Sequence, residues 1–158
     1  MARAVHVLSM LIVANSAAWI AGRFPSARAP RALDFGLIAW DGERLLGSHK
    51  SWRGLMAGSL ASCIAGWLCS LDAWVAAGFG ALSLLGDALS SAIKRRLRRP
   101  PGTDVPLLDQ VPEALLPILL LWPWLALTWS EVAVIIAAFT VLDLLCTRSC
   151  SAIRWRPF

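Results

Sequence analysis

The stretch from Ala73 to Arg99 reads AWVAAGFGALSLLGDALSSAIKRRLRR, an apolar run that ends in a cluster of cations. Residues 73–93 come close to the ~20 apolar residues that a helix needs to cross the hydrocarbon core of a bilayer. The cations of residues 94–99 follow at once, and an excess of Lys and Arg marks the cytoplasmic side of a membrane span. The stretch predicts a transmembrane helix whose carboxyl end lies at the cytoplasmic face.

Four other apolar segments have a comparable length. They cover residues 4–22, 54–71, 114–129 and 132–147. The whole chain of 158 residues is 58% hydrophobic, with a mean hydropathy of +0.63. A soluble domain of this size would be less apolar. We therefore predict an all-α integral membrane bundle of about five transmembrane helices, which forms a single domain over residues 1–158.

The orientation of the bundle follows from the 15 Lys and Arg residues. In the predicted topology, Arg3 lies on the same side of the membrane as the amino terminus. The other 14 cations lie on the opposite side, in segments 23–53 and 94–112 and in the carboxyl-terminal tail. The positive-inside rule then places the amino terminus outside and the carboxyl terminus in the cytoplasm. The first segment also has features of a cleaved signal peptide, but the basic loop behind it disfavours export. We expect a multi-pass protein of the cell membrane.

The net charge of +5 suits anionic lipid headgroups or phosphate ligands. Because the cations lie close to the predicted membrane segments, we expect membrane lipids as partners and no nucleic acid.

Two of the apolar segments carry residues that shape a bundle. The second has small residues at a spacing of four, which lets a neighbouring backbone approach closely: Gly54, Gly58, Ser62 and Gly66. The fourth contains Pro117 and Pro123, which we expect to kink it. Together, the glycine groove and the kink would leave a lateral opening for lipid tails.

Asp87 is the most informative polar residue within an apolar segment. On a helix it shares one face with Ser91, Lys94 and Arg98. An ionised carboxylate at this depth is costly unless it meets a cation, a metal or water. Asp87 is therefore a candidate functional residue, and an intrahelical pair with Lys94 is the structural alternative.

The two lysines are unusual in a chain that has 13 arginines. Lys50 precedes the second apolar segment and Lys94 follows the third, so both are expected at the cytoplasmic face. The lysine ammonium is a compact charge that suits a single phosphate oxygen, whereas arginine offers a planar fork. Chance placement of lysines that extend to the membrane interface is the alternative.

The loop of residues 102–113 brings carboxylates among these cations, at Asp104, Asp109 and Glu113. Carboxylates beside basic residues are what a magnesium–nucleotide site requires, since oxygens hold the metal and cations hold the phosphates. A simply solvated loop is the alternative.

Several of these motifs occur in the order and spacing found in one family. They are Asp34-Phe35-Gly36, Asp41-Gly42, Leu46-Gly47-Ser48-His49-Lys50-Ser51-Trp52-Arg53-Gly54, Gly86-Asp87, Ser91-x-x-Lys94-Arg95-Arg96 and Leu108-Asp109-Gln110, with Asn15 in the first segment. Over nearly its whole length the chain resembles the CDP-archaeol synthases, which lie within the phosphatidate cytidylyltransferase superfamily. Two departures stand out. Ser51 replaces the usual Thr, and Val111-Pro112 stands where the family has Leu-Asp, so the second aspartate of that run is missing and Glu113 is the candidate substitute.

The resemblance implies a magnesium-dependent cytidylyltransferase of phospholipid biosynthesis. Such an enzyme joins CTP to a membrane lipid phosphate and releases a CDP-lipid and pyrophosphate. The lipid would be an archaetidic-acid-like diether glycerol phosphate or phosphatidate, and the sequence does not decide between them. It also leaves open dCTP in place of CTP, and a homodimer.

The resemblance also implies roles for individual residues. The proposed catalytic residues are Asp87, Lys94 and Asp109. The proposed ligands of Mg²⁺ are Asp87, Asp109 and Glu113. The proposed substrate-binding residues are Asn15, Asp41, Lys50, Arg53, Ser91, Lys94 and Arg95.

Two other classes of function compete with this one. A non-catalytic protein that binds anionic lipids or serves as an assembly subunit would use its basic loops only for topology and headgroup contacts. Asp87 and Asn15 speak against it, since a passive bundle has little reason to bear their cost within a membrane. A small transporter would need more polar residues at mid-membrane than Asn15 and Asp143 provide.

Overall fold

The computed structural model describes residues 2–23, 31–46, 50–100, 103 and 105–152, with the backbone alone for 147–152. These residues form six helices: α1 (Ala2–Arg23), α2 (Trp52–Leu68), α3 (Ala73–Arg96), α4 (Gln110–Leu120), α5 (Trp122–Leu125) and α6 (Trp129–Ala152). The described part of the chain contains no β-strand, only two isolated bridges that join Ala32 to Ser51 and Ile38 to Arg44. The all-helical prediction is thus confirmed.

Three helices are long and apolar enough to cross a membrane, namely Ala2–Arg23, Ala73–Arg96 and the Trp129–Cys146 part of α6. The prediction of membrane-spanning helices is confirmed for these three. Helix α2, with 17 residues, and α4, with 11, are shorter.

The fourth apolar segment, residues 114–129, is predicted as one helix kinked by its prolines, and the structure instead divides it into two helices. Helix α4 begins earlier, at Gln110, and ends at Leu120, and the four-residue α5 follows after Leu121. Pro117 lies inside α4 and Pro123 lies in the first turn of α5. Proline lacks the N–H that would continue the helical hydrogen bonds, which explains an interruption between these two positions. Ala126 then adopts a left-handed conformation (φ 46°) and ends α5.

Helix α1 lies at the centre of the bundle, where it contacts α2, α3 and α6, and α4 bridges α3 and α6. The core is apolar and is shared among these helices. Its fully buried members include Val7, Met10 and Leu11 of α1, Val75 and Phe79 of α3, Ile118 of α4 and Ile135 of α6.

The small residues of α2 pack as predicted, and they are the buried residues of that helix: Gly54, Gly58, Ser62 and Gly66. A Cβ on Gly58 would lie 2.7 Å from the carbonyl oxygen of Ala14 in α1 and 2.5 Å from Cδ1 of Leu84 in α3. Because α1 and α3 fill this groove, the predicted lateral opening for lipid tails along it is wrong.

Candidate active site

The carboxyl ends of α1 and α3 meet the amino ends of α2 and α4 at one end of the bundle. This antiparallel order follows from close contacts such as Gly54 with Ala18 and Gly86 with Pro112. We call it the basic end, since most of the described cations lie there, among them Arg23, Lys50, Arg53, Lys94, Arg95, Arg96, Arg98 and Arg99.

Lys50 and Asp87 form an ion pair at the basic end, in which the ammonium of Lys50 donates to Oδ2 of Asp87. The two side chains are 24% and 26% exposed, so water reaches both. Asp87 therefore meets a cation from a neighbouring element.

Local backbone structure holds Lys50 in place. Its carbonyl oxygen accepts a hydrogen bond from the N–H of Leu33 (2.7 Å), and the N–H of Trp52 donates to the carbonyl of Arg31 (3.1 Å). Ser51 caps α2, because its Oγ accepts a hydrogen bond from the N–H of Gly54 (3.2 Å). A serine hydroxyl caps a helix as a threonine hydroxyl does, so the Ser51 departure preserves this function.

Lys94 and Asp109 form the second ion pair, with 2.8 Å between Nζ and Oδ1. Lys94 also donates to the carbonyl oxygen of Thr103 (3.0 Å), and Oδ2 of Asp109 accepts from the N–H of Val105 (3.0 Å). Lys94 is buried and ties the connection between α3 and α4 to the end of α3. Both lysines of the chain are thus paired, each with one of the two predicted catalytic aspartates.

This pairing corrects two expectations. The alternative of an intrahelical pair between Asp87 and Lys94 is wrong, because each has a partner on another element. Arg98 does not share their helix face either, since α3 ends at Arg96 and Arg98 has a left-handed backbone (φ 54°).

The predicted loop of residues 102–113 ends earlier, since Glu113 lies inside α4 and Asp109 directly precedes the helix. The alternative of a simply solvated loop is wrong for Glu113, which is buried. Asp104 lies outside the described residues. Glu113 is buried, and its Oε1 has no hydrogen-bond partner. Gly86 brings α4 close to α3 at this point, because a Cβ there would lie 2.8 Å from Cα of Glu113. Asp87 directly follows Gly86, so this contact brings the backbone of Glu113 close to Asp87.

Gln110 connects this site to α6, which the sequence reasoning missed. Its Nε2 donates to Oδ2 of Asp143 (2.7 Å), and its Oε1 accepts from the N–H of Leu107 (2.8 Å). Asp143 thereby anchors the segment that carries Asp109. The only sequence signal for this contact was the position of Asp143 within an apolar segment, and it did not indicate Gln110 as the partner.

The remaining predicted residues surround the two ion pairs. Nδ2 of Asn15 is 3.5 Å from Oγ of Ser83, one helical turn before Asp87. The hydroxyl of Ser91 donates to the carbonyl of Asp87 (3.0 Å). Arg95 is buried and donates to the carbonyl of Pro100 (3.1 Å), and Arg53 is half-buried in the first turn of α2.

Asp41 lies on the loop of residues 31–46, above the end of α3, and forms an ion pair with Arg96. The Arg96 guanidinium holds the pKa of Asp41 below its usual value, mainly through this hydrogen bond. Asp34 organises the same loop: its buried carboxylate accepts hydrogen bonds from the N–H of Gly36 (3.0 Å) and of Leu46 (3.2 Å). Arg96 and Asp34 were not among the predicted site residues.

The side chains present fit a magnesium ion in their chemistry. Carboxylate oxygens are its preferred protein ligands, and Mg²⁺ commonly takes only one or two of them, with substrate phosphates and water completing the shell. The described residues hold no ready-made cluster of three metal ligands. Instead, Asp87 and Asp109 are each paired with a lysine, and Glu113, four residues after Asp109, has a buried Oε1 without a hydrogen-bond partner.

Comparisons with known proteins agree on one family. The family model described as CarS-like, CDP-archaeol synthase, matches residues 2–152. A CDP-archaeol synthase of Aeropyrum pernix is 34% identical over 147 residues, which cover 88% of this chain and 79% of that protein. The enzyme of that name from Thermofilum pendens is 33% identical over 124 residues, or 68% of this chain and 61% of the relative.

A solved structure gives the same result for the fold. It belongs to an intramembrane enzyme for archaeal membrane lipid biosynthesis and superimposes with a TM-score of 0.79. The two chains are 30% identical, and the match covers 91% of this chain and 92% of the other.

Proposed function

Because the chain belongs to the CDP-archaeol synthase family, we infer that it transfers a cytidylyl group from CTP to a membrane lipid phosphate. The products are a CDP-activated lipid and pyrophosphate, so the protein is a nucleotidyltransferase of membrane lipid biosynthesis. The same comparisons disfavour the alternative of a non-catalytic lipid-binding protein.

The observation that carries the mechanism is the pair of lysine–aspartate contacts at the basic end, Lys50–Asp87 and Lys94–Asp109. In each pair a cation and a carboxylate neutralise one another when no substrate is bound. The phosphates of a nucleoside triphosphate carry more negative charge than a carboxylate, so the lysines can exchange their aspartates for phosphate oxygens. The aspartates are then free to bind a metal ion. The site is therefore preorganised for a ligand that carries both phosphates and a divalent cation.

In the reaction, a phosphate oxygen of the lipid forms a bond to the α-phosphorus of CTP, and the bond from that phosphorus to the β-phosphate bridging oxygen breaks. Such a displacement depends on positioning and charge neutralisation. Lys50 and Lys94 would hold phosphate oxygens, with Arg53 and Arg95 as further contacts. Asp87, Asp109 and Glu113 would hold Mg²⁺, which when bound neutralises charge on the phosphates.

The buried network around the site keeps these groups in position. The Gln110–Asp143 hydrogen bond fixes the start of α4, next to Asp109. The hydroxyl of Ser51 caps α2, next to Lys50. Asn15 lies one turn deeper than Asp87, where it would contact the lipid phosphate and not the nucleotide.

We propose that this site lies at the boundary between membrane and water. We propose five crossings of the cell membrane, in which α2 and the α4–α5 pair cross beside α1, α3 and α6. Helix α2 runs along α1 from Ala18 to Met10, so it covers a similar depth. By the positive-inside rule, the basic end faces the cytoplasm, and CTP is available there.

An assay of the purified protein tests the function directly. The protein in detergent, given radiolabelled CTP, magnesium and a panel of ether-linked and ester-linked lipid phosphates, should form a labelled lipid and pyrophosphate. Omission of the lipid phosphate is the matched control. Failure to form a labelled lipid with every member of the panel would contradict the proposal.

The orientation is tested by cysteine labelling in intact cells. A cysteine at Thr103, beside Lys94 at the basic end, should resist a membrane-impermeant thiol reagent until the cells are permeabilised. A cysteine at Ser130, at the start of α6 and the opposite end of the bundle, should be labelled from outside. Ready external labelling at Thr103 would reverse the orientation.

A charge-preserving substitution tests the role of Lys50. Lys50→Arg retains the ion pair with Asp87 but replaces a compact ammonium by a planar fork. If Lys50 holds one phosphate oxygen, kcat/KM should fall about tenfold or more, which corresponds to ~1.4 kcal/mol of lost transition-state stabilisation. The control is Arg99→Lys, an exposed position at the same end that should stay near wild-type activity. Equal activities of the two variants would remove Lys50 from the site.

A further inference from the structure

An exposed apolar patch lies on the loop at the basic end, outside the catalytic groups. It consists of Phe35, Leu37, Ile38 and Trp40, which are 71%, 60%, 67% and 89% exposed. Four large apolar side chains within six residues of a loop are uncommon on a surface that faces only water. We propose that this patch inserts into the lipid interface and anchors the loop beside the active site.

The first reason is the level at which the loop is held. Phe35 contacts Trp52, the first residue of α2, with 6.0 Å between the ring centroids. Trp40 lies 5.2 Å from the guanidinium of Arg96, the last residue of α3. Both contacts are with residues at helix ends, where the membrane segments leave the hydrocarbon core. The patch is thus tied at interfacial depth, where aromatic side chains are favoured.

The second reason is the shape of the patch. Residues 37–45 form a hairpin, because the N–H of Leu45 donates to Leu37 (2.9 Å) and the N–H of Ala39 donates to Glu43 (2.9 Å). Neighbouring residues of an extended segment, such as the one that bridges Ile38 to Arg44, point to opposite faces. Leu37 and Ile38 are neighbours and both are exposed, so the hairpin is apolar on its two faces. Lipid surrounds both faces of an inserted hairpin, whereas a protein partner docked on one face would leave the other in water.

The third reason is charge. The cations at the same bundle end include Arg23, whose guanidinium stacks 3.6 Å from the ring centre of Trp19. Arg44 and Arg96 are paired with Asp34 and Asp41, so the exposed Arg98 and Arg99, directly after α3, are the cations available to headgroups. Arginines beside interfacial aromatic residues suit anionic lipid headgroups. The interface therefore complements both the apolar and the charged groups around this loop.

An anchored loop would couple the site to the membrane surface. The hairpin holds Asp41 over the end of α3, where Asp41 contacts Arg96, the residue that follows Lys94 and Arg95. Insertion of Ile38 and Trp40 into the lipid interface would hold the hairpin at the depth where the headgroup of a lipid phosphate lies.

Photocrosslinking tests the proposal without requiring turnover, so its result is independent of the proposed reaction. A benzophenone amino acid is placed at Ile38 in the full-length protein, reconstituted in nanodiscs of radiolabelled phosphatidylcholine. Irradiation should give a labelled lipid adduct. The matched control is the same amino acid at Glu43, an exposed polar position at the tip of the same hairpin.

The proposal expects at least about fivefold more lipid adduct at position 38 than at position 43. Equal labelling at the two positions overturns it, as does a protein–protein adduct at position 38, which would indicate a second copy of the chain. A second probe at Trp40, the most exposed member of the patch, should follow position 38. If Trp40 follows Glu43 instead, the anchoring of the hairpin is wrong.

Discussion

Asp87→Asn and Asp109→Asn should each abolish formation of the CDP-lipid, with a fall in kcat of about 10³-fold or more, or ~4 kcal/mol. The amide keeps the shape of the side chain but removes the negative charge that a divalent cation requires. Each substitution also releases a lysine, which would then meet the phosphates without its counter-charge. We expect the loss in turnover, with the affinity for CTP changed less.

The bundle should remain folded in both variants. In Asp87→Asn, water can solvate Lys50, since both side chains are about a quarter exposed. In Asp109→Asn, the buried Lys94 keeps its hydrogen bond to the carbonyl oxygen of Thr103, and the amide oxygen can still accept from its ammonium. Asp72→Asn is the matched control, because Asp72 is an exposed aspartate at the opposite end of α3 whose side chain makes no capping hydrogen bond. Its activity should equal that of the wild-type protein. Near-normal activity of Asp87→Asn and Asp109→Asn across a magnesium titration would show that the metal-ligand proposal is wrong.

The double variant and Glu113→Gln divide the roles further. The effects of Asp87→Asn and Asp109→Asn should not add, because residues that act as one unit fail together. Glu113→Gln should cost as much as Asp109→Asn if Glu113 replaces the family's second aspartate, and clearly less if Asp109 is the principal ligand of this segment.

The helices could be predicted from the sequence because their signals are local. Hydropathy over a window of ~20 residues located α1, α3 and α6, and the spacing of Gly54, Gly58, Ser62 and Gly66 predicted the buried face of α2. The break at Leu121 was missed because a proline can either kink a helix or end it, and the sequence does not tell which of the two occurs. That choice depends on how α4 and α5 pack against their neighbours.

The partners of the site residues could not be read from the sequence for a similar reason. Helical spacing placed Asp87, Ser91 and Lys94 on one face, four and three residues apart, and left an intrahelical pair of Asp87 with Lys94 as the structural alternative. The pairs observed, Lys50–Asp87 and Lys94–Asp109, join separate elements and depend on the tertiary fold. The Gln110–Asp143 hydrogen bond joins α4 to α6 across 33 residues and gave no local signal.

The packing of α4 against α3 leads to the second large effect, at Gly86. A Cβ at this position would lie 2.3 Å from the carbonyl oxygen of Pro112 and 2.8 Å from Cα of Glu113. Both atoms belong to the backbone of α4, so rotation of a side chain cannot relieve the clash. Gly86→Ala must therefore push α4 away from α3, and Glu113 moves with it, away from Asp87.

We expect Gly86→Ala to lower stability by roughly 1–3 kcal/mol, the usual cost of an overpacked core, and to lower activity by about 100-fold or more. Gly78→Ala is the control on the same helix, because no atom lies within 4 Å of a Cβ built there. Alanine favours helix formation over glycine, so Gly78→Ala should stabilise the protein by up to ~1 kcal/mol and leave turnover intact. Thermal unfolding in detergent and the CDP-lipid assay measure the two effects separately. If Gly86→Ala matches Gly78→Ala in both, the close contact of α3 with α4 does not position the site, because the same added methyl group would then be tolerated at both places.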